Sequence, residues 1–166
     1  MSLPHMDTAD ALLRQLSPDV LEELKASLIA ALIKQKVLQH TKLMGKYYTI
    51  AIDATGTHSY PANDAAQSRL HKTSKNGKTS YHHYVMEARL VSASGFSLSV
   101  ATEWVANDAD RNYQKQDCES KAFERIAVKL KRHFPRLPVC LLADGLYANQ
   151  RFMKTCTSNG WQYIVV

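Results

Sequence analysis

YYTIAIDATGTHSY, residues 47–60, opens with β-branched and aromatic residues, and its positions 47–54 read as a strand buried on both faces and closed by Asp53. LPVCLLADGLYANQ, residues 137–150, holds a second compact strand at 139–143, closed by Asp144. A strand that delivers a carboxylate at its tip is how metal-dependent phosphoryl-transfer enzymes build a site for two cations about 3.5–4 Å apart. Carboxylate oxygens are hard donors that suit Mg2+ or Mn2+. An aspartate in this place also caps turns, so neither residue is decisive alone.

Working outward, residues 55–80 carry Gly56, Pro61, Asn63-Asp64 and Asn76-Gly77, the signals of turn and loop. Residues 81–92 and 96–105 read as two further strands joined through the hairpin turn Ser92-Ala93-Ser94-Gly95. A polar stretch at 107–116 leads into a helix at 117–134, with Phe123, Ile126, Ala127 and Leu130 on one face and Pro135 ending it. A short helix at 148–158, closed by Asn159-Gly160, and a final strand at 161–166 follow the Asp144 strand. The order is βββαβαβ. Three strands before the first helix argue against a doubly wound dinucleotide fold, in which strand and helix alternate from the start. It matches an α/β ribonuclease-H-like mixed sheet, in which the first and fourth strands are parallel neighbours and their aspartates meet.

Ahead of this core (45–166) stands a helical segment (1–44) with Leu12, Leu13 and Leu16 in one apolar group and Val20, Leu21, Leu24, Leu28 and Leu32 in the next. Ser17-Pro18 is an N-cap followed by proline, which divides the segment into two helices. Their apolar faces must pack on the main domain or on a partner chain; a packing hairpin is the plain reading and a DNA-binding helical module the alternative. The length of 166 residues suits one domain with a substantial core. No apolar stretch is long enough for a bilayer, and no basic start followed by an apolar run marks a signal peptide, so the expectation is a cytoplasmic protein without a membrane partner. Cys118, Cys140 and Cys156 are too few and too far apart for a disulfide framework or a metal knuckle. Cys140 and Cys156 read as small buried hydrophobes.

IDATGTHSY, YHHYV, YQKQDCES and PVCLLADGLYANQ resemble the catalytic domain of bacterial DDE transposases of the insertion-sequence-4-like group, from about residue 47 to the C-terminus. The resemblance implies a ribonuclease-H-like fold, two divalent ions (Mg2+ or Mn2+), and DNA cleavage and strand transfer at transposon ends. Asp53 becomes the first acid of its triad and Asp144 the second. The family's third acid, a glutamate on a helix after the fifth strand, has no counterpart by residue 166, so the chain reads as truncated before that helix, with little or no transposition activity alone. Glu119, at the start of the first core helix, is the candidate supporting acid, because ribonuclease H itself uses a glutamate there; favourable charge in a helix's first turn is the plainer reading.

The expected partner is double-stranded DNA, with a homodimer left open and no small-molecule substrate, since no glycine-rich phosphate loop is present. The net charge is +6, and residues 67–85 hold Arg69, His71, Lys72, Lys75, Lys78, His82 and His83 with no acid. That pattern suits a polyanion, and a solvated lysine-rich loop equally. Arg69, Lys72, Lys75, Lys78 and Lys115 are candidates for phosphate contacts, which position a duplex without reading it. His82 and His83 are candidates for a phosphate or a base, or plain surface. Tyr147 stacks or packs beside Asp144, and Trp104 belongs to the core edge. Two rivals remain: a non-catalytic DNA-binding remnant, and a nuclease or resolvase of the same fold that cuts without joining.

Overall fold

Alternation of Tyr48, Ile50 and Ile52 turns one face of β1 (Tyr48–Tyr60) into the core, and Ile50 is fully buried. This is seen in a computed structural model that describes residues 5–60, 69–107 and 115–166. β1 pairs antiparallel with β3 (Thr79–Val91), from Thr49 opposite Val91 to Tyr60 opposite Tyr81, with an irregularity between Gly56 and His58. On its other edge β1 runs parallel to β5 (Val139–Ala143), from Tyr48 opposite Val139 to Ala51 opposite Leu142. β5 in turn pairs in parallel with β6 (Gln162–Val165). The outer edge of β3 is shared by two strands: β4 (Ser97–Val105) takes the part up to Tyr84, and β2 (Leu70–Thr73) takes Thr79 to His82. A meander followed by parallel strands on the far side of β1 is the ribonuclease-H-like arrangement, in a six-stranded mixed sheet.

Two expectations change. Asp53 does not close β1, which continues for seven residues because β3 supplies partners from Met86 back to Tyr81. What stops near Asp53 is the parallel ladder with β5. The expected loop at 55–80 is therefore partly strand, and β2 makes a fourth strand ahead of the first core helix. β1 is buried on both faces only near its start and becomes exposed beyond Ile52. The turn signals at Pro61 and Asn63-Asp64 and the polar stretch at 108–114 lie outside the described residues.

Helix α3 (Glu119–His133) lays Phe123, Ile126, Ala127 and Leu130 on the sheet, and α4 (Gln150–Asn159) adds Phe152 and Cys156. Each large side chain so buried contributes about 1.5–3 kcal/mol. Ser92 and Gly95 close the β3–β4 hairpin, Gly95 with φ of 83°, where a side chain would strain the backbone. The three cysteines are free, with Cys140 and Cys156 buried as expected. Trp104 is exposed on β4, and its carbonyl accepts a hydrogen bond from Arg125.

At the N-terminus α1 (Met6–Gln15) and α2 (Pro18–Lys34) meet at Ser17, whose Oγ accepts from the Val20 N–H. Of their leucine stripe, Leu32 packs partly buried against the core, but most of the rest does not face it. α2 buries Ala26 and Ile29 and leaves Val20, Leu21, Leu24 and Leu28 exposed, while α1 buries nothing. The reason is polar: Lys25 Nζ reaches Glu22, Ser99 Oγ and Thr102 Oγ1, and Glu22 accepts from the Thr102 N–H, which fixes the helix's rotation on β4. Among the described residues no helix is long and apolar enough to cross a membrane.

Candidate active site

The parallel register of β1 and β5 ends with Ala51 opposite Leu142; Asp53 lies two residues beyond this pair on β1, and Asp144 two residues beyond it just after the end of β5. Adjacent strands run roughly 4.8 Å apart, which brings the two carboxylates to one edge of the sheet. Each is exposed and spends one oxygen locally: Asp53 Oδ1 accepts from the Ala54 N–H at 2.8 Å, and Asp144 Oδ1 from the Leu146 N–H at 2.9 Å. The second oxygen of each is open to a ligand. Across the other edge of β1, Asp53 faces Glu87 directly. Glu87 Oε1 accepts from Thr102 Oγ1, while its Oε2 is buried without a hydrogen bond and lies 3.8 Å from Arg89.

Glu119 joins this edge from the first turn of α3. Burial raises its pKa, the charges of Asp144 and then Asp53 raise it further, and Tyr147 and Lys72 oppose them. Tyr147 is 3% exposed in the turn after β5, and its hydroxyl forms no hydrogen bond of ordinary geometry although the Glu119 carboxylate acts on it. Burial, then Glu119, Asp144 and Asp53, hold its pKa far above the usual phenol range. Tyr147 thus packs against Phe123 and Phe152 and turns its one polar atom to the acids.

For Glu119 the sign is fixed: its folded pKa lies above the unfolded value, so the folded state favours the protonated form. The associated stability is present below the ordinary glutamate pKa and is lost as pH rises through the raised one. Glu119→Gln is therefore expected to raise the melting temperature at pH 7 and to lose that advantage near pH 4. Thermal scans at both values read the difference, and an unchanged or lowered melting temperature at pH 7 would show that Glu119 is not crowded by the aspartates.

The donor types fit a hard divalent cation: three carboxylates act on one another toward one edge, with the buried Tyr147 hydroxyl beside Glu119. Yet among the described residues no three His, Cys, Asp or Glu side chains are gathered tightly enough to hold a metal ion as they stand. Residues expected at DNA divide. Lys72, exposed on β2, acts on Glu119 and lies with it in one cleft. Lys75 and Lys78 are exposed at the far turn of the β2–β3 hairpin, and Lys115 is exposed just before α3. Arg69 stacks on the Tyr60 ring at 3.9 Å and donates to His83 Nε2 at 3.1 Å, while His82 Nε2 bonds Ser80 Oγ. The two histidines are half-buried members of β3.

A polar clamp that the sequence did not single out joins the hairpin to α3. The Gln116 side-chain amide accepts from the His71 N–H at 2.7 Å and donates to the His71 carbonyl at 3.2 Å, extending the free edge of β2. Asn107, 4% exposed, donates to the Arg69 carbonyl and accepts from the Asp117 N–H. Asp117 accepts from the Cys118 and Ala106 amides and from Arg125. Lys72 and Glu119 are thereby fixed on two walls tied to each other.

No protein-family model matches the chain, and no curated protein matches it. Among solved structures it is similar to a chain of the simian T-cell lymphotropic virus intasome in complex with PP2A regulatory subunit B56 gamma, at 15% identity and a TM-score of 0.37, over 73% of this chain and 32% of that one. It is also similar to a chain of the Mos1 strand transfer complex, at 13% identity and a TM-score of 0.36, over 98% of this chain and 43% of that one. A third likeness is to the Mos1 mariner paired end complex with Mn, at 12% identity and a TM-score of 0.36, over 98% and 44%. The chain spans less than half the length of each of these proteins.

Proposed function

We propose that the chain is catalytic-core sequence of a DDE transposase of the insertion-sequence-4-like group, acting on double-stranded DNA at transposon ends with Mg2+ or Mn2+. The observation that supports this reading is the parallel pairing of β1 with β5, past the same end of which lie Asp53 and Asp144. Asp53 and Asp144 would hold the metal, each through the oxygen not given to a backbone amide, with Glu119 as the supporting acid. Divalent ions bound there supply a polarised phosphate and an activated attacking oxygen. Lys72 binds a phosphate oxygen beside the acids and offsets their charge. Lys75 and Lys78, at the hairpin turn, and Arg69, His82, His83 and Lys115 hold the backbone further out.

A non-catalytic DNA-binding role is favoured by one observation, that no three ligating side chains are drawn together among the described residues. Supercoiled DNA incubated with the protein and Mn2+ separates the readings. Divalent-dependent nicking that is lost in Asp144→Asn, with little or no joining by this chain alone, supports the transposase reading. Cutting that favours branched or hybrid DNA identifies a nuclease or resolvase. Binding that survives Asp144→Asn with no nicking under any divalent ion establishes the binding role and overturns the proposal.

A further inference from the structure

A cleft of about 450 Å³ lies between the β2–β3 hairpin and the start of α3, next to Glu119. Its walls combine the aliphatic side chains of Leu70, Val105 and Leu146 with the ring of Tyr84. It forms where β4 gives way to β2 along the edge of β3: Tyr84 is the last residue paired with β4, and His82 the first paired with β2. Gly56 lies against the ring, where a Cβ would stand 3.5 Å from its Cε1 and Cζ, an ordinary contact distance. Lys72 caps the ring's outer end, with Nζ 3.3 Å from the Tyr84 hydroxyl and 5.6 Å from the ring centre.

The polar groups of the walls are mostly spent. Gln116 is bonded to the His71 backbone, and Asp117 to Arg125 and two amides. What faces the space is mainly apolar and aromatic surface, with Lys72 at the hairpin side and Glu119 at the other. Leu146 is 73% exposed although it sits two residues after Asp144, an apolar side chain held out beside a charged edge. A mainly apolar cleft with an aromatic ring beside a cation matches one unit of a nucleic-acid strand: a base for the cleft and a phosphodiester for the ammonium. A base within a duplex cannot enter, because its faces are already stacked.

We infer that this cleft seats one unpaired nucleobase of a DNA strand whose backbone runs past Lys72 toward Asp53 and Asp144. The inference rests on the DNA-acting reading above and adds that the protein prefers a locally opened strand to a closed duplex. With the wall amides committed elsewhere, the preference is for an unpaired base of any identity. It therefore comes from stacking and shape, without hydrogen-bond readout.

The test is binding without divalent ions to two oligonucleotide duplexes, one fully paired and one with a 2-aminopurine opposite an abasic site, followed by anisotropy and by 2-aminopurine fluorescence. The wild-type protein is expected to bind the opened duplex more tightly, with a change in 2-aminopurine emission. Tyr84→Ala and Leu146→Ser are each expected to reduce that preference on the order of tenfold, and Tyr84→Phe to keep it. Leu146 is exposed, so its loss of preference is not a folding defect. Equal affinity of the wild-type protein for both duplexes, or equal losses on both in Leu146→Ser, overturns the seat while leaving DNA cleavage standing. Failure to bind either duplex overturns the DNA reading and the seat together.

Discussion

Asp53→Asn is expected to abolish divalent-dependent nicking of DNA and, at the same time, to make the ion-free protein more stable. Asp53 stands opposite Glu87, past the same end of the β1–β5 pairing as Asp144, and within the charge field of Glu119. Asparagine keeps the shape and still accepts from the Ala54 N–H, so nothing in β1 needs to move. Removing a preorganised charge at a phosphoryl-transfer site costs on the order of 10²–10³ in rate. Relief of the cross-strand like-charge pair contributes about 0.2–1 kcal/mol of stability. Mn2+ at 100 times its dissociation constant adds about 2.7 kcal/mol to a protein that binds it only when folded, and the variant should lose that increment. Plasmid nicking and thermal scans with and without Mn2+ read all three effects. Asp144→Asn should behave alike in nicking, because asparagine preserves its cap on the Leu146 amide. The double variant should be no worse than either single one, since the two act as a unit. A structural aspartate would show the opposite pattern, with stability falling and nicking unaffected, and that result would remove Asp53 from the site.

The parts of the fold legible from sequence are those whose partners lie close along the chain or whose pattern is unambiguous. The strand at 139–143 is found as read, and α3 begins and ends within two residues of its expected span because Phe123, Ile126, Ala127 and Leu130 share one face and Pro135 stops it. β1 runs further than its sequence suggests, because Gly56 and the polar residues after it look like a turn. Their extended form is imposed by β3, a partner more than twenty residues away, and strand formation depends on such context. The same long-range pairing turns Asp53 from a strand tip into a mid-strand residue, still past the same end of the β1–β5 pairing as Asp144. The leucine stripe of α2 misled for a related reason. Periodicity shows that a face exists, whereas the choice of face was made by Lys25 and Glu22 against Thr102. Asn107 and Gln116 gave no signal, being common polar types whose value lies in which backbone groups they reach.

Arg125→Ala is expected to be the most destabilising single change outside the apolar core. Arg125 Nε donates to Glu103 at 2.7 Å, its two terminal nitrogens donate to both oxygens of Asp117 at 3.3 and 2.7 Å, and one of them also donates to the Trp104 carbonyl at 2.9 Å. The Asp117 side chain is 8% exposed and is held in place by the Cys118 and Ala106 amides, so it cannot swing into water once the guanidinium is gone. Breaking a buried pair from one side costs about 3–5 kcal/mol, because a charge is left without a partner. The loss should fall at the lower end of that range, since Lys129 still pairs with Glu103 at 2.7 Å and Arg125 is itself 40% exposed. Urea unfolding at pH 7 measures it. Asp117→Asn in the Arg125→Ala background should recover part of the stability, which a simple cavity at Arg125 would not allow. The consequence reaches the site, because Asp117 anchors Asn107 and begins the turn that presents Glu119. With that anchor loosened, the β2 wall carrying Lys72 is no longer fixed against the acids, and DNA affinity should fall even where the protein remains folded. A variant within about 0.5 kcal/mol of wild type would instead place these charges among solvated surface pairs, which contribute little.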